Sequence, residues 1–255
     1  MRGTFANISV DLDRHEDLLR QAQRLRGSVY LQDGAIDESH LTADGLHLVQ
    51  SDRSSWHFLV MDEAGRVCGC VRYKQHPFDA HIGSLGILSS SLANCSIWGD
   101  KLRAAVNEEL AVSRTLQIPF IEVGGWALAE EIRHTTEALR MVLAVYGFSR
   151  EFGGAVGLAT ATTRHGSASI LRRIGGRSLT YEGQDLPTYQ DPQYSCAMEV
   201  LRFYSWAPNP RYDVWVNEIA RELSSVEILC TEHPGLLVSA PEQRVRAVRT
   251  QELCH

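Results

Sequence analysis

The chain has 255 residues, of which 44% are hydrophobic and 22% charged, and its formal net charge is −6. The composition is that of a globular protein, the negative charge gives no reason to expect nucleic-acid binding, and no run of 18 apolar residues predicts a membrane span. The length predicts one large domain or a domain with an appendage. We assign residues 1–205 to the main domain and residues 206–255 to a helical and loop extension packed on it.

Cysteine spacing and the N-terminal segment bear on metal binding and on the compartment. Six cysteines stand at positions 68, 70, 95, 196, 230 and 254. Their spacing fits neither a zinc site built from paired Cys-x-x-Cys motifs nor a disulfide framework, so we expect no metal. The first 21 residues lack the apolar segment of a secretory signal, so the sequence predicts a reducing, cytoplasmic location.

The first half of the chain predicts a helix, a hairpin and a second helix. Apolar residues recur at helical spacing in residues 15–30 and again in residues 99–117. Between them, the apolar segments 57–62 and 66–73 flank a Glu-Ala-Gly turn, in which glycine supplies a positive φ. Residues 77–96 are rich in Gly and Ser and predict a loop.

The second half of the chain alternates strands and helices. An apolar strand ends near Leu128 and leads into an amphipathic helix, with Thr135 or Thr136 as its N-cap. The predicted elements are strands over 118–128, 155–162, 177–183 and 195–203, helices over 133–153, 165–176 and 212–225, and a loop-like tail over 231–255. This order predicts an α/β fold, a mixed sheet flanked by helices, in which residues 118–176 form a right-handed parallel crossover.

One strand carries a carboxylate and two glycines, where packing alone favours Val or Ile. Glu122 lies between apolar neighbours and is followed by Gly124 and Gly125. The glycine pair predicts a bulge that turns this strand away from its neighbour; alternatively, the glycines only permit close packing. A half-buried carboxylate can have its pKa raised toward neutrality, which suits a general base for an ammonium acceptor, directly or through water. The alternative role of Glu122 is an ion pair with Arg72 or Arg26.

The helix that follows this strand offers an anion site at its N-terminus. Ligands bind at the carboxyl ends of parallel strands, and the first turn of a helix exposes free N–H groups. Arg133 adds a positive charge, and Thr135 and Thr136 add hydroxyl groups. These residues predict a phosphate site; the alternative is a solvated turn whose residues only cap the helix.

This turn, and the arrangement over residues 16–205, resemble the GCN5-related N-acetyltransferase (GNAT) superfamily. In that family the acyl donor's pyrophosphate lies on a turn Arg/Gln-x-x-Gly-x-Gly/Ala, and Arg133-x-x-Thr136-x-Ala138 occupies this frame. His165-x-x-Ala168 stands where the family has Asn-x-x-Ala. The resemblance implies a GNAT-like central mixed sheet flanked by helices. It also implies donor contacts at Trp126, Ala127, Leu128, Arg133, His134, Thr135, Thr136 and Ala138.

Three further segments resemble the branch of that family that holds the autoinducer (acyl-homoserine lactone) synthases and the long-chain N-acyl amino acid synthases. They are Arg26-Gly-Ser-Val29-Tyr30, Gly69-Cys-Val-Arg72 and Glu122-Val-Gly-Gly125-Trp126. The family patterns are Arg-x-x-Val-Phe/Tyr, Gly-x-x-Arg and Glu-x-x-Arg-Phe, so Gly125 stands where these enzymes have arginine. The resemblance implies substrate-binding roles for Arg26, Tyr30, Arg72 and Trp126. The two arginines either hold an acceptor carboxylate or form structural ion pairs.

Other ionisable residues complete the set of candidates. His165 and Tyr181 are further acid–base candidates, each with a purely structural role as the alternative. The arginines at 164, 172, 173 and 177 form a basic patch in an acidic protein. The patch either receives an acidic carrier protein or the 3′-phosphate of CoA, or is a solvated helix face.

The resemblance implies an N-acyltransferase that moves an acyl group from an acyl-CoA or acyl-carrier-protein thioester to the amine of a small acceptor such as an amino acid. Glu122 would accept the amine's proton, and backbone N–H groups near residues 126–128 would polarise the thioester carbonyl. Two alternatives remain. One is an acetyl-CoA-dependent N-acetyltransferase acting on a peptide or antibiotic amine, and the other is a non-catalytic GNAT-like module that binds CoA.

Overall fold

The structure is a computed structural model in which residues 7–231 are described. The helices are α1 Leu12–Gln32, α2 Gly99–Leu116, α3 Thr136–Glu151, α4 Ser167–Ile174 and α5 Asp213–Leu223. The strands are β1 Ile8–Val10, β2 Trp56–Met61, β3 Val67–His76, β4 Phe120–Leu128, β5 Val156–Thr162, β6 Arg177–Ser178, β7 Thr180–Tyr181, β8 Gln184–Asp185, β9 Tyr189–Asp191, β10 Cys196–Tyr204 and β11 Ile228–Cys230. Within the described range, no helix has both the length and the apolar character needed to cross a membrane.

Local sequence explains where the long helices begin and end. Asp11 caps α1 by accepting a hydrogen bond from the backbone amide of Arg14 at 3.0 Å. Thr135 caps α3 by accepting one from the amide of Glu137 at 3.2 Å, which confirms one of the two predicted threonine caps. Beyond the end of α2, Gln117 adopts the left-handed conformation with φ of 54°. All five predicted helices are present.

The main sheet has seven strands. Their order is β2–β3–β4–β5–β10–β6, and β9 also pairs with β10. β4 and β5 pair in parallel, whereas the other neighbouring strands of this sheet are antiparallel. The parallel strands are joined through α3, as predicted for residues 118–176. The predicted mixed sheet flanked by helices is therefore confirmed.

Alternation along the strands places the helices on two faces of the sheet. α2 packs against Phe120 and Leu158, and α1 packs against Cys70 on the same side, which we call the α2 face. α3 and α5 pack on the opposite side against Ile121, and α4 lies there against Ala161; we call this the α3 face. Each face buries two apolar clusters, so the sheet is covered on both sides.

The segment 177–183 is not the single strand that the sequence predicted. β6 pairs with β10, whereas β7 pairs with β8 in a separate two-stranded sheet. Glu182 and Gly183 both have positive φ, of 49° and 76°. These two residues form the turn of a hairpin, which takes Tyr181 out of the main sheet.

Two short strands near the ends of the described range were missed by the sequence analysis. β1 and β11 pair in parallel, with Ile8 opposite Ile228. Nearby, α5 packs on α3 so closely that a Cβ on Gly147 would lie 3.1 Å from the backbone N of Ala220. The predicted boundary between residues 205 and 206 falls between β10 and α5 and stays a prediction. Of the predicted tail, residues 232–255 lie outside the described residues.

Candidate active site

β4 leaves its parallel neighbour halfway along its length. Residues 120–123 of β4 pair with residues 156–159 of β5 and the pairing stops there, whereas β5 stays paired with β10 as far as Thr162. On the β3 side, two residues of β4 stand opposite one residue of β3, and Gly125 within this bulge has φ of +64°. The predicted bulge and strand separation are therefore present.

Beyond the bulge, β4 stays with β3 and not with β5. Ala127 and Leu128 stand opposite Cys70 and Gly69. The side chain of Trp126 packs on the α3 face, and its Nε1 is buried without a hydrogen-bond partner among residues 7–231. The β5 side of this segment is thus a gap, flanked on one face by an indole ring.

A cavity of about 990 Å³ opens on the α2 face next to this separation. Its floor includes Arg72, Lys74, Glu122 and Gly124, which face the same side of β3 and β4. Its walls come from residues 49–54, from the loop over residues 84–91 and from β9 with the turn that follows it, over residues 189–194. The cavity floor therefore brings two cations and one carboxylate to the place where β4 and β5 diverge, and Asp191 adds a second carboxylate in the wall.

Glu122 is held by three hydrogen-bond partners at this cavity. Its carboxylate accepts hydrogen bonds from the backbone amides of Gly86 and Ile87, both at 2.9 Å, and lies 2.9 Å from Nε2 of His76. Burial raises the pKa of a carboxyl group, but these hydrogen bonds outweigh it and hold the pKa of Glu122 below its ordinary value. The expectation of a raised pKa is wrong. The alternative of a pair with Arg26 or Arg72 is also wrong, because the side-chain partner is His76.

Two basic residues beside Glu122 were missed by the sequence analysis. The predicted strand 66–73 continues as β3 to His76, so Arg72, Lys74 and His76 alternate on one face. Lys74 stands directly opposite Glu122 in the register of β3 and β4, and it has no ion pair within the described chain. The available signal was the three basic side chains at every second position from Arg72 to His76, after a largely apolar start of the strand.

Arg26 and Arg72 meet at a buried carboxylate, Asp52, that the sequence analysis also missed. Arg26 is completely buried; its Nη1 donates to Asp52 Oδ1 and its Nη2 donates to the carbonyl of His47, both at 2.9 Å. Arg72 Nη1 reaches the same Oδ1 at 3.3 Å. Burial alone would raise the pKa of Asp52, but the bonds from Arg26 hold it well below its ordinary value.

The two arginines that the motifs implied as substrate ligands differ in their accessibility. The guanidinium of Arg26 is inaccessible, so the structure does not support its predicted contact with an acceptor carboxylate. The side chain of Arg72 is 18% exposed and lines the cavity, so its predicted role stays open. Nothing in the pattern around Asp52 distinguishes it from other loop aspartates, which explains why it was missed.

An aromatic cluster connects the Arg26 region with the bulge. The ring of Tyr30 meets His47 and Tyr194 edge to face, at centroid distances of 5.5 and 5.9 Å, and its hydroxyl donates to the carbonyl of Trp126 at 3.4 Å. Burial, assisted by the charge of Arg26, lowers the pKa of His47 to about 4. Tyr194 lines the cavity, whereas Tyr30 lies behind its wall. Tyr30 therefore supports the backbone of the bulge, and its predicted substrate contact is not supported.

The predicted phosphate turn lacks a free cation. The first amides of α3 have no intrahelical partner, as at any helix N-terminus. Arg133, however, donates from Nη1 and Nη2 to the carboxylate of Asp33 at 3.1 and 3.2 Å, and from Nε to the carbonyl of Leu128 at 3.1 Å. Its guanidinium thus ties the turn to the end of α1.

The same turn is acidic and largely exposed. Glu130 and Glu131 precede it, and Glu137 lies in the first turn of α3. Of the remaining predicted donor contacts, His134, Thr135 and Thr136 are exposed and Ala138 is buried. The carboxylates oppose an anionic ligand, so phosphate binding at this turn would depend on backbone amides and threonine hydroxyls.

The two further acid–base candidates lie away from the cavity. His165 is exposed in the turn between β5 and α4. Tyr181 lies on the hairpin of β7 and β8, where the neighbouring Glu182 raises its pKa. Neither residue lines the 990 Å³ cavity. Their predicted catalytic roles are therefore not supported by the structure.

The basic patch is partly neutralised. Arg172 donates to Glu199 at 3.0 Å and to the hydroxyl of Ser178 at 2.8 Å. Arg164 donates to a backbone carbonyl, and Arg173 and Arg177 are exposed. The role of the patch in receiving a carrier protein stays a prediction.

Metal and disulfide chemistry have no counterpart within residues 7–231. No group of three or more His, Cys, Asp or Glu side chains is placed there to hold a metal ion. The five cysteines in this range are free.

Comparison with known proteins finds similarity in structure but not in sequence. No protein-family model and no curated protein matches the sequence. The CoA-dependent acyl-homoserine lactone synthase BjaI, solved with SAM and isopentyl-CoA, matches with a TM-score of 0.53 at 16% identity, over 88% of this chain and 90% of that chain. FeeM, an N-acyl amino acid synthase from uncultured soil microbes, matches with a TM-score of 0.47 at 16% identity, over 77% and 88%. Arylalkylamine N-acetyltransferase 2 from Aedes aegypti matches with a TM-score of 0.47 at 12% identity, over 77% and 95%. The chain therefore has the GNAT-type fold of the acyl-homoserine lactone synthases, as its motifs predicted.

Proposed function

We propose that the protein is an N-acyltransferase that moves an acyl group from an acyl-CoA or acyl-carrier-protein thioester to the amine of a small acceptor such as an amino acid. The observation that supports this most is the separation of β4 from β5, because it opens beside a cavity whose floor carries two cations and a carboxylate. The gap suits the pantetheine arm of a thioester, and the cavity suits a zwitterionic amine.

The donor arm binds along the free side of β4. Beyond Val123 this side of β4 has no strand partner, so its backbone groups are available to the amides of pantetheine, apart from the carbonyls of Trp126 and Leu128, which accept from Tyr30 and Arg133. The thioester carbonyl lies against the backbone of residues 126–128, where an N–H group polarises it. A phosphate of the donor lies at the first turn of α3, near Thr135 and Thr136.

The state of the phosphate turn bears on the choice of donor. Arg133 pairs with Asp33, and three carboxylates surround the turn, so the turn adds little electrostatic attraction for the phosphates of a nucleotide. This favours a carrier protein, docked on the exposed Arg173 and Arg177, over CoA as the preferred acyl donor. The ratio of kcat/KM for acyl-carrier protein to that for the matching acyl-CoA measures this preference, and a ratio below one contradicts it.

The acceptor binds between the charged residues of the cavity floor. Lys74 and Arg72 hold its carboxylate, and Glu122 holds its ammonium group. Lys74 and Glu122 are a directly opposed cross-strand pair, whose Cβ atoms lie about 5 Å apart in such a register. Because the pKa of Glu122 is lowered, its carboxylate is ionised at neutral pH and attracts the cation.

The reaction is a direct transfer. The bound ammonium group first loses one proton to water. The neutral amine then attacks the thioester carbonyl carbon, the C–N bond forms, the C–S bond breaks, and a second proton leaves the nitrogen to balance the protonation of the departing thiolate. Glu122 relays that proton directly or through water, and its lowered pKa makes it a transient carrier. Tyr194, whose ring lines the cavity, gives its hydroxyl proton to the thiolate and is reprotonated by the proton that Glu122 carries.

A thiol-release screen tests this function. Acyl-CoAs and acyl-carrier proteins of several chain lengths are offered with matched acceptor pairs, namely an amino acid and the amine left by its decarboxylation. We expect release with the amino acid and little with the amine. Lys74→Met lowers kcat/KM for the amino acid roughly 10- to 100-fold and leaves the amine unaffected, since only the amino acid has a carboxylate to lose its partner.

Other outcomes of the same screen contradict the proposal. Release only with acetyl-CoA and a peptide or antibiotic amine identifies an N-acetyltransferase of that class. Bound CoA without release for any acceptor identifies a non-catalytic module.

A further inference from the structure

A second cavity, of about 460 Å³, lies at the sheet edge formed by β2 and shares no lining residue with the proposed active site. Trp56 and Phe58 alternate along β2 and meet Phe148 of α3, at ring-centroid distances of 5.3 and 5.1 Å. Met141 and Ala144 of the same helix continue this wall. The volume lies within the range of small-molecule sites, and the lining is mostly apolar and aromatic.

The charged residues at the rim of this cavity are already paired. Arg14 donates to Glu227 at 2.7 Å, and Arg140 pairs with Glu222 and, at 3.8 Å, with Glu137. An anionic ligand would therefore find no free cation, and a cationic ligand would compete with an arginine for its carboxylate. A charged head group also loses hydration against the apolar walls, so the rim favours an uncharged ligand.

One residue of the lining carries a buried polar atom that has no hydrogen-bond partner in the described part of the chain. His15 of α1 lines the cavity, and its Nδ1 is buried without a hydrogen-bond partner among residues 7–231. A buried polar atom without a hydrogen bond destabilises the fold. A ligand hydroxyl group can supply that bond for either tautomer of the imidazole, because a hydroxyl both donates and accepts. We propose that this cavity binds an uncharged small molecule with an apolar body and a single hydrogen-bonding head, and that the imidazole of His15 turns so that Nδ1 pairs with the head.

Matched eight-carbon probes test the chemical class of the ligand. 1-Octanol, octanoate and octylamine share one chain and differ only in head-group charge. We expect 1-octanol at a hundred times its Kd to raise Tm by roughly 5 to 10 °C. It should also change the fluorescence of Trp56, which a Trp56→Phe variant identifies by difference. Each charged probe binds at least tenfold more weakly.

Two variants locate the site. Ala144→Leu fills the cavity and removes 1-octanol binding, whereas Ala111→Leu, the same change at an exposed position of α2, leaves it unchanged. His15→Phe keeps a ring of similar size but lacks Nδ1, and weakens binding roughly 5- to 10-fold. The proposal is overturned by an absence of 1-octanol binding to the wild type, by tighter binding of a charged probe, or by unchanged affinity in both Ala144→Leu and His15→Phe. None of these readouts depends on acyl transfer.

Discussion

Replacing Gly125 with alanine tests whether the bulge in β4 and the buried Arg26 depend on each other. A Cβ at this position would lie 3.1 Å from Nη1 and 3.4 Å from Cδ of Arg26, at a residue whose φ is +64°. The left-handed backbone costs alanine about 1 kcal/mol. Asp52 and His47 hold the guanidinium in place, so the contact adds about 2 kcal/mol, as overpacking does in a core. We expect the free energy of unfolding to fall by about 3 kcal/mol.

Gly65→Ala is the matched control for this prediction. Gly65 has φ of +77°, and a Cβ there would meet no atom within 4 Å, so the variant bears only the backbone cost of about 1 kcal/mol. Urea denaturation of both variants measures the difference, which we expect to be about 2 kcal/mol at an unchanged m-value. Equal losses in the two variants would refute the reasoning, because they would show that Arg26 moves aside without cost.

Three further predictions concern the charged groups. Asp52→Asn leaves Arg26 buried without its counter-ion and lowers the free energy of unfolding by about 3 to 5 kcal/mol, whereas Asp44→Asn, at the exposed pair with Arg20, costs less than about 1 kcal/mol in the same denaturation experiment. Glu122→Gln lowers kcat. The pH profile of kcat/KM for the wild type should fall on the acid side as Glu122 is protonated. Because the pKa of Glu122 is lowered, we expect this fall below pH 4.3, about the ordinary pKa of a glutamate. A fall near pH 6 or 7 contradicts this assignment. His47 is neutral in the folded chain with a pKa of about 4, against 6.5 when unfolded, so the unfolded chain binds the proton first as the pH falls. Stability therefore decreases by up to ~3 kcal/mol between pH 6.5 and 4, and His47→Gln flattens this pH dependence in thermal unfolding.

Features that depend on neighbouring residues were predicted from the sequence. The order of the helices, the parallel unit around α3 and the threonine cap at Thr135 follow from apolar periodicity and from hydrogen bonds over two or three residues. The bulge at Gly125 follows from the ability of glycine to adopt a positive φ. These choices are local, so the residues beside each feature sufficed to predict it. The extension of β3 to His76 was missed because alternating polar residues weakened the apolar signal.

The chemistry of individual residues was decided only by the tertiary structure. The apolar neighbours of Glu122 indicated a carboxylate with a raised pKa, but its partners His76 and Gly86 stand 46 and 36 residues earlier and lower its pKa. Likewise, Arg26 matched a substrate-binding signature, yet its guanidinium is buried and pairs with Asp52, which stands 26 residues later. The sequence by itself determined the fold and where β4 would bend. Which charges face the cavity was decided by the packing of loops from distant parts of the chain, because pKa and accessibility depend on partners that no local pattern specifies.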